Sequence, residues 1–319
     1  MKKFKLDFDS QLAMVAKSSE SWPLLKDHLV TFEESFKPGN YKVFNLDPYN
    51  WICTVRLLPY RKASSTSDAK AAINGERPCF LCRKNRPAEQ TYLEIGDYEM
   101  LANPNPILSG HLTLAKMDHT PQLIKGHEMD MAELAQLFKD GVVFYNGPLC
   151  GASAPDHLHF QVVDRFAKMN LKIPNEMCQT VYKLRKSSIL IPFDDVVPFQ
   201  FIIIDADDLR DFKILFERVY NALPQGDPEP MMNIAMYKKG SNGVRAVIIP
   251  RKAHRPSFYG TGDGQLLLSP ATLEMLGFFP AIAQKEFDGI DESVILDTYR
   301  QVGFSFDDMA PVYEKILTL

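Results

Sequence analysis

The chain has few histidines and cysteines, and it lacks the features of membrane and secreted proteins. Its 319 residues include seven His and five Cys. No apolar run approaches the roughly 18–20 residues needed to cross a bilayer, and the charged first residues lack the apolar core of a signal peptide. An odd number of cysteines favours free or metal-bound thiols in a reducing compartment over a disulfide framework. We therefore predict a cytoplasmic protein without a membrane association.

An excess of basic residues is also absent. The formal net charge is −4, whereas a nucleic-acid-binding protein usually presents a basic field. Hydrophobic residues make up 45% of the chain and charged residues 24%, as in ordinary globular proteins. The composition predicts a folded protein of one large or two ordinary domains, with no nucleic acid as a partner.

The spacing of apolar residues indicates a mixed chain of helices and strands. One rhythm of strand, helix, strand, turn and strand occupies residues 111–163 and returns over residues 199–250, which favours an internal duplication. Helical spacing is found in the segments 10–36, 128–141, 207–223 and most of 265–319. We predict an α+β protein with antiparallel sheets and helices packed on one face.

The most informative segment is Asp-His-Leu-His-Phe-Gln at residues 156–161. In a β-strand, side chains alternate between faces, so His157, His159 and Gln161 would share one face. Buried polar groups of this kind are kept where they bind a metal, react with a substrate or satisfy each other. The alternative is a pair of hydrogen-bonded core histidines. The other face of the strand would carry the core residues Leu158, Phe160 and Val162.

A second pattern is the Cys-x-x-Cys pair formed by Cys79 and Cys82. This spacing allows two thiolates to bind one tetrahedral zinc ion, although a redox pair or two unrelated cysteines have the same spacing. Since the chain has no second pair, the remaining ligands would be His, Asp or Glu, and His119 and His157 are the candidates. Two Cys and two His would close the tetrahedron, which is typical of a structural zinc site.

The histidine segments together resemble the histidine-triad superfamily. Its first block is similar to residues 109–119, which run from Ser-Gly-His through a short apolar strand to His119, and its second block is similar to residues 157–161. Members that hydrolyse nucleotides usually carry a third histidine where this chain has Gln161. A glutamine there resembles the transferase branch, which includes galactose-1-phosphate uridylyltransferase, diadenosine tetraphosphate phosphorylase and the GDP-hexose phosphorylases.

This resemblance implies a duplicated histidine-triad-like fold. Residues 1–190 would form the catalytic half with the zinc site. Residues 191–319 would form a degenerate second half, in which residues 244–248 replace the histidine strand, together with the C-terminal helices.

Further segments resemble the uridylyltransferase. Trp51–Val55 and Pro59–Arg61 are similar to its N-terminal blocks, and Asn103–Pro106 is similar to its nucleoside-contacting turn. The resemblance implies that His159 is the nucleophile and Gln161 the phosphate-holding amide. It implies a catalytic serine at Ser153, substrate contacts from Arg61, Asn103, Asn105 and Asn146, and zinc ligands at Cys79, Cys82, His119 and His157.

The resemblance also implies the class of reaction. A neutral imidazole can attack an α-phosphorus and hold the nucleoside monophosphate covalently, while Gln161 donates to the phosphoryl oxygens. We expect a nucleotidyltransferase or phosphorylase that uses a nucleotidyl-His159 intermediate. The donor would be a nucleoside diphosphate sugar or a dinucleoside polyphosphate, and the acceptor a sugar phosphate or inorganic phosphate. A hydrolase of the same superfamily and a nucleotide-binding protein without turnover are the alternatives. Family members occur as dimers and as monomers, so a homodimer is also an expected state.

Leu158 stands where the uridylyltransferase has proline, and the sequence His-Leu-His-Phe-Gln is closer to that of the GDP-hexose phosphorylases. This difference leaves the base and the acceptor open. Two further features have two readings each. Arg251 and Lys252, in a basic cluster after a strand, would suit a phosphate clamp for the second substrate or an ordinary solvated loop. The glycine-rich segment 260–264 is either a phosphate cradle or a turn.

Overall fold

A computed structural model describes residues 6–66, 69–165, 169–171 and 173–319. Its helices are α1 (Phe8–Ser21), α2 (Pro23–Glu34), α3 (Lys62–Ser65), α4 (Ala69–Ile73), α5 (Glu128–Leu137), α6 (Leu209–Ala222), α7 (Thr272–Met275), α8 (Gln284–Gly289), α9 (Glu292–Val302) and α10 (Phe306–Thr318). Its strands are β1 (Tyr41–Leu46), β2 (Trp51–Leu57), β3 (Tyr92–Ile95), β4 (Tyr98–Ala102), β5 (Leu112–Lys116), β6 (Gly141–Asn146), β7 (His159–Asp164), β8 (Cys178–Leu184), β9 (Ser187–Pro192), β10 (Ile202–Ala206), β11 (Met232–Lys239), β12 (Gly243–Pro250) and β13 (Phe278–Ala281).

The fold centres on one sheet of ten strands in the order β3-β4-β5-β7-β6-β11-β12-β10-β9-β8, with antiparallel neighbours throughout. Five strands from the first part of the chain are followed by five from the second in mirrored order. At the centre β6 pairs with β11, from Asn146 opposite Asn233 to Val142 opposite Tyr237. The predicted α+β class and the internal duplication are confirmed. The predicted boundary at residue 190 lies inside β9, whose neighbours in the sheet are β8 and β10.

Capping residues and proline set the ends of the long helices. Asp7 accepts a hydrogen bond from the Ser10 N–H at 3.0 Å at the start of α1, and Asp208 does the same for the first turn of α6. The predicted helical segment 10–36 is divided after Ser21, because Pro23 lacks an N–H and fits only the first turn of a new helix.

The two faces of the large sheet pack against different layers. Val143 and Phe160 point into a core shared with α1, α2, α5, α6 and α10. Val142 and Phe144 point to the opposite face, against α7–α9 and a small sheet of order β1-β2-β13. Helices cover the first face as predicted, but α7–α9 also cover the second, so the helices are not confined to one face. The C-terminal segment contributes to both faces. That segment includes β13, which pairs parallel to β2 in addition to the predicted helices.

The histidine-bearing strand is shorter than the sequence indicated. β7 begins at His159, and His157 lies in the preceding turn, where its N–H donates to the Ala154 carbonyl at 3.2 Å. The prediction that His157 and His159 share one face of a strand is therefore wrong. The predicted burial of the other face is confirmed, since the structure fully buries Leu158, Phe160 and Val162.

Within the described ranges, none of the helices has both the length and the apolar character needed to traverse a bilayer.

Candidate active site and metal centre

One cavity collects most of the residues that the sequence marked for catalysis and substrate binding. Its volume is about 510 Å³, within the range of about 300–1,000 Å³ that is usual for small-molecule sites. Apolar side chains, including Trp22, Leu24 and Phe80, form part of its wall. A larger cavity of about 950 Å³, bordered by Tyr98 and Leu134 on the helix-covered face, contains none of the marked residues. Those that line the first cavity are Arg61, Asn103, Asn105, Asn146, Ser153, His159 and Gln161.

His159 is held as a neutral imidazole with one nitrogen free to react. Its Nδ1 donates to the His157 carbonyl at 2.8 Å, which leaves Nε2 as the unprotonated nitrogen. Burial lowers the pKa of His159 to about 4, so the ring is uncharged at neutral pH. An imidazole in this state can act as a nucleophile.

Gln161 is oriented by a second histidine, His111. The Nδ1 of His111 accepts from the Ile107 N–H at 3.2 Å, so its Nε2 carries the proton and donates to Gln161 Oε1 at 2.7 Å. Burial lowers the pKa of His111 to about 3, which keeps the ring uncharged at neutral pH. Because its oxygen is engaged, the Gln161 amide presents its NH₂ group as the donor beside His159.

The turn after β4 is fixed in a single shape at the edge of the cavity. The side-chain oxygen of Asn103 accepts from the Asn105 N–H at 2.9 Å. From the segment after β2, the Tyr60 hydroxyl donates to the Pro106 carbonyl at 2.6 Å, and Arg61 donates to the Asn105 carbonyl. The two blocks that resemble the uridylyltransferase are thus in contact, although they are more than 40 residues apart in the sequence.

The cavity is lined by one basic and one acidic side chain, those of Arg61 and Glu274. The Arg61 Nε atom is buried without a hydrogen-bond partner among the described residues. Glu274, on α7, lines the same cavity. Burial raises the pKa of the Glu274 carboxyl, and the charge of Arg61 opposes that shift. An acidic residue of the second half of the chain therefore shares the cavity with His159.

Asn146 ends β6 with its side-chain oxygen fully engaged. That oxygen accepts from Asn233 Nδ2 at 3.1 Å and from the backbone N–H and hydroxyl of Thr272 at 2.9 and 2.6 Å. The NH₂ group of Asn146 is left as a donor at the cavity wall. The NH₂ group can therefore donate a hydrogen bond to an oxygen of a phosphate or hydroxyl ligand.

Ser153 lies on the loop between β6 and β7, which is closely packed. Its carbonyl accepts from the Arg77 guanidinium at 2.9 Å, and Arg77 also pairs with Asp156 at 3.3 Å. On the same loop Gly151 has φ +91°, and a Cβ there would lie 2.4 Å from the Ala271 Cβ. Only glycine permits this contact between the loop and the segment before α7.

The four predicted metal ligands converge in the structure. The ligand atoms of Cys79, Cys82, His119 and His157 all lie within 4.8 Å of one another. Cys79 Sγ is 3.3 Å and Cys82 Sγ 3.5 Å from His157 Nδ1, and Cys82 Sγ is 3.2 Å from His119 Nδ1. Tetrahedral zinc with ordinary bond lengths gives ligand separations of about 3.4–3.8 Å. The cluster is compatible with a structural zinc ion.

The surroundings of the cluster also suit a metal. The Nε2 of His157 donates to the Lys116 carbonyl at 2.8 Å, which leaves Nδ1 free to bind a cation. Burial raises the pKa of Cys79 to about 12, so a bound cation is needed to keep this thiol as a thiolate at neutral pH. Because the carbonyl of His157 accepts from His159 Nδ1, a residue of the cluster also fixes the imidazole of His159.

Arg251 and Lys252 are not brought into the cavity. Arg251 is buried, and its guanidinium donates to Asn233 Oδ1 at 2.7 Å and to the Pro270 carbonyl at 3.0 Å. Lys252 lies at the surface, where it pairs with Asp308 at 3.4 Å. Arg251 and Lys252 therefore bind other parts of the chain and do not face the cavity.

The glycine-rich segment 260–264 forms a turn around Gln265. The Gly262 N–H donates to Gln265 Oε1 at 2.9 Å, and a Cβ on Gly260 would lie 2.3 Å from the same oxygen. The segment borders none of the cavities described above.

Two residues of the site were missed in the sequence, namely Gln122 and Glu274. Gln122 is fully buried and sits in an irregular segment that carries no motif. Its Oε1 accepts from the His159 N–H at 2.7 Å, and its Nε2 donates to the carbonyls of His159 and Asn146 at 3.0 and 2.9 Å. A third residue, His111, was given no role from the sequence. Its position in the first histidine-triad-like block was the signal that could have identified it.

Solved structures of another protein have a similar fold. The chain's fold is similar to that of yeast Ap4A phosphorylase Apa2. The superposition has a TM-score of 0.56 at 16% sequence identity and covers 88% of this chain and 97% of Apa2. Crystal structures of Apa2 in complex with AMP and with Ap4A match with TM-scores of 0.54 and 0.52 at 16% and 15% identity. They cover 89% of this chain, and 96% and 97% of the Apa2 chains respectively.

These matches confirm the predicted fold, which this chain shares with an Ap4A phosphorylase. Residues 14–164 also match the model of a family described as a domain of unknown function (DUF4922). That segment contains the cysteine pair and both histidine blocks. No curated protein matches the sequence of the chain.

Proposed function

We propose that the protein is a nucleotidyl-transferring enzyme that works by double displacement through His159. The proposal depends on one observation. A neutral imidazole with its Nδ1 bound and the NH₂ group of Gln161 line the same cavity, and each is fixed by a dedicated hydrogen bond. The similarity of the fold to Apa2, whose structures hold AMP and Ap4A, supports a nucleotide as the donor.

The first half-reaction would form a bond between His159 Nε2 and the α-phosphorus of the donor. The bond from that phosphorus to the bridging oxygen breaks, and the leaving sugar phosphate or nucleoside polyphosphate takes the electron pair. The NH₂ group of Gln161 would donate to the non-bridging oxygens, where charge shifts in the transition state. The Nδ1 proton stays on the ring and hydrogen-bonded to the His157 carbonyl throughout, so the reacting nitrogen needs no separate base.

In the second half-reaction an oxygen of the acceptor attacks the same phosphorus, and the phosphorus–nitrogen bond breaks. Inorganic phosphate as acceptor makes the enzyme a phosphorylase, and a sugar phosphate makes it a transferase. A structural zinc ion bound by Cys79, Cys82, His119 and His157 would hold the turn that supplies the His157 carbonyl. It would have no open position for substrate.

The turn Asn103–Pro106 would hold the nucleoside, with apolar contact from Trp22 and Leu24. Asn146 and Arg61 would contact the phosphates, and Ser153 would lie at the far side of the phosphorus. The donor would be a nucleoside diphosphate sugar or a dinucleoside polyphosphate, since both present a nucleoside, an α-phosphorus and a phosphate leaving group.

Intact-mass spectrometry tests the covalent step. The protein is incubated with UDP-glucose, GDP-glucose, ADP-glucose or diadenosine tetraphosphate, and the added mass identifies the nucleotide. We expect a nucleoside monophosphate adduct, stable in base and labile in acid, that is absent from His159→Asn. The matched control is His127→Asn, which changes the N-cap histidine before α5, outside the cavity, and should keep the adduct.

Failure of every donor to label the folded protein, or an adduct that persists in His159→Asn, would rule out the mechanism. The isolated adduct then identifies the acceptor. Release by inorganic phosphate indicates a phosphorylase, release by glucose 1-phosphate a transferase, and release in buffer alone a hydrolase.

A further inference from the structure

A buried carboxyl lies behind the reactive histidine, in the loop between α6 and β11. Glu229 is 4% exposed, and its Oε2 accepts from the Ile124 N–H at 3.0 Å. Its Oε1 lies 2.5 Å from the Tyr145 hydroxyl, and that hydroxyl lies 3.0 Å from the Gln122 carbonyl. The chain of contacts therefore runs from Glu229 through Tyr145 to Gln122.

Gln122 connects this chain to the catalytic strand. The regular pairing of β6 with β7 ends at Phe144 opposite Gln161. Beyond that pair, the Gln122 amide stands between Asn146 and His159 and bonds to the backbone of both at 2.7–3.0 Å. The position of His159 relative to Asn146 thus depends on where Gln122 is held.

The number of available protons determines which form of Glu229 completes this series of hydrogen bonds. The Tyr145 hydroxyl has one proton, and the Gln122 carbonyl can only accept. If Tyr145 donates to Gln122, then Glu229 Oε1 must donate to Tyr145, which requires the neutral carboxylic acid. If Glu229 is ionised, Tyr145 donates to it instead, and the Gln122 carbonyl loses this donor.

We propose that Glu229, as a carboxylic acid, is a positioning residue that holds His159 in place through Tyr145 and Gln122. Ionisation of Glu229 would release the Gln122 carbonyl and loosen the backbone of His159. The catalytic part of this proposal rests on the proposed function, whereas the effect on the His159 backbone does not.

The surroundings of Glu229 favour the acid form. Burial raises the pKa of Glu229 to about 7, against hydrogen bonds from Tyr145 and from the Ile124 and Lys125 N–H groups, which lower it. Besides Tyr145, the ionisable groups that face it are the Tyr220 hydroxyl on α6 and the Cys150 thiol. The charged groups near Tyr220 are Lys125, whose Nζ is 5.5 Å from its ring centre, and Glu128 on α5. No salt bridge to Glu229 is formed by the described residues.

Hydrogen exchange at the His159 amide tests the structural part directly, because that N–H donates to Gln122. After correction for intrinsic exchange, protection in the unaltered protein should fall by about fivefold between pH 6 and pH 8, the value of one lost neutral hydrogen bond. In Glu229→Gln, whose amide can donate to Tyr145 at any pH, the fall should disappear. Tyr145→Phe should lower protection at both pH values, and the matched control Tyr220→Phe should not.

The rate of adduct formation on His159 tests the catalytic part. We expect the rate at saturating donor to fall over the same pH range in the unaltered protein and not in Glu229→Gln, with the KM for donor unchanged. Constant protection of the His159 amide in the unaltered protein, or equal pH dependence in Glu229→Gln, would overturn the proposal. An absent adduct together with pH-dependent protection would refute the proposed function alone.

Discussion

Replacement of His111 by leucine tests whether a correctly oriented Gln161 amide is required. The change removes the Nε2–H that donates to Gln161 Oε1 at 2.7 Å. The other donor near that oxygen is Asn103 Nδ2 at 3.4 Å, which is too long to hold the amide firmly. The Gln161 side chain can then turn and present its oxygen to the phosphoryl group, which repels developing negative charge.

The size of the effect has two limits. Loss of a single neutral hydrogen bond costs about 1 kcal/mol, or roughly fivefold in rate. Complete loss of one oxyanion donor costs about 10²–10³-fold in other enzymes. We expect His111→Leu to slow adduct formation on His159 between these limits, and Gln161→Ala to set the upper one. His111→Gln should recover much of the rate, because its amide can accept from Ile107 and donate to Gln161.

The assay is the single-turnover rate of adduct formation, followed by intact mass with whichever donor labels the unaltered protein fastest. Circular dichroism and thermal melting of each variant confirm that the fold is retained. If His111→Leu reacts within twofold of the unaltered protein while Gln161→Ala is slowed about 100-fold, then His111 does not orient the amide and the reasoning is wrong.

Three further changes follow from the metal cluster, from Glu229 and from Glu274. Cys82→Ser should lower the zinc content measured by elemental analysis and the melting temperature, because a metal that binds only the folded state stabilises it. Since folding raises the pKa of Glu229 from 4.5 to about 7, the folded state holds its proton more tightly. Stability should therefore fall by about 3 kcal/mol between pH 4.5 and 7 and level off above. Glu229→Gln should remove that part of the slope in urea unfolding. Glu274→Gln removes a negative charge from the cavity, which should favour the more highly charged donor. The KM for diadenosine tetraphosphate should fall severalfold more than the KM for a nucleoside diphosphate sugar. Rates of adduct formation with the two donors in competition measure this difference.

The sequence was a good guide where spacing alone carries the chemistry. Cys79 and Cys82 are close in the chain, and His119 and His157 belong to the two histidine-triad-like blocks, so the four side chains could be matched before the fold was known. His159 and Gln161 alternate along one strand, which placed both on the same face. These predictions required only the period of a strand and a resemblance to known blocks.

The sequence was a poor guide where contacts join distant segments. Gln122 and Glu229 reach the site from irregular segments, and nothing local distinguishes them from surface residues. The start of β7 was misplaced because the alternation of His157 and His159 continues into a turn, which is closed by the hydrogen bond from the His157 N–H to the Ala154 carbonyl. Arg251 looked like a free cation because its acceptors, including Asn233 and the Pro270 carbonyl, are remote in sequence or have no side-chain signature.

The pairing of β6 with β11 has a consequence for the independence of the two halves. β6 is entirely buried, and its second edge is covered only by β11 within the described sheet. A first half separated from the second would carry an unpaired apolar edge, a surface that promotes aggregation. The cavity would also lose its wall from α7. We therefore expect the first half to need the second half for folding, because the second half covers that edge and completes the wall of the cavity.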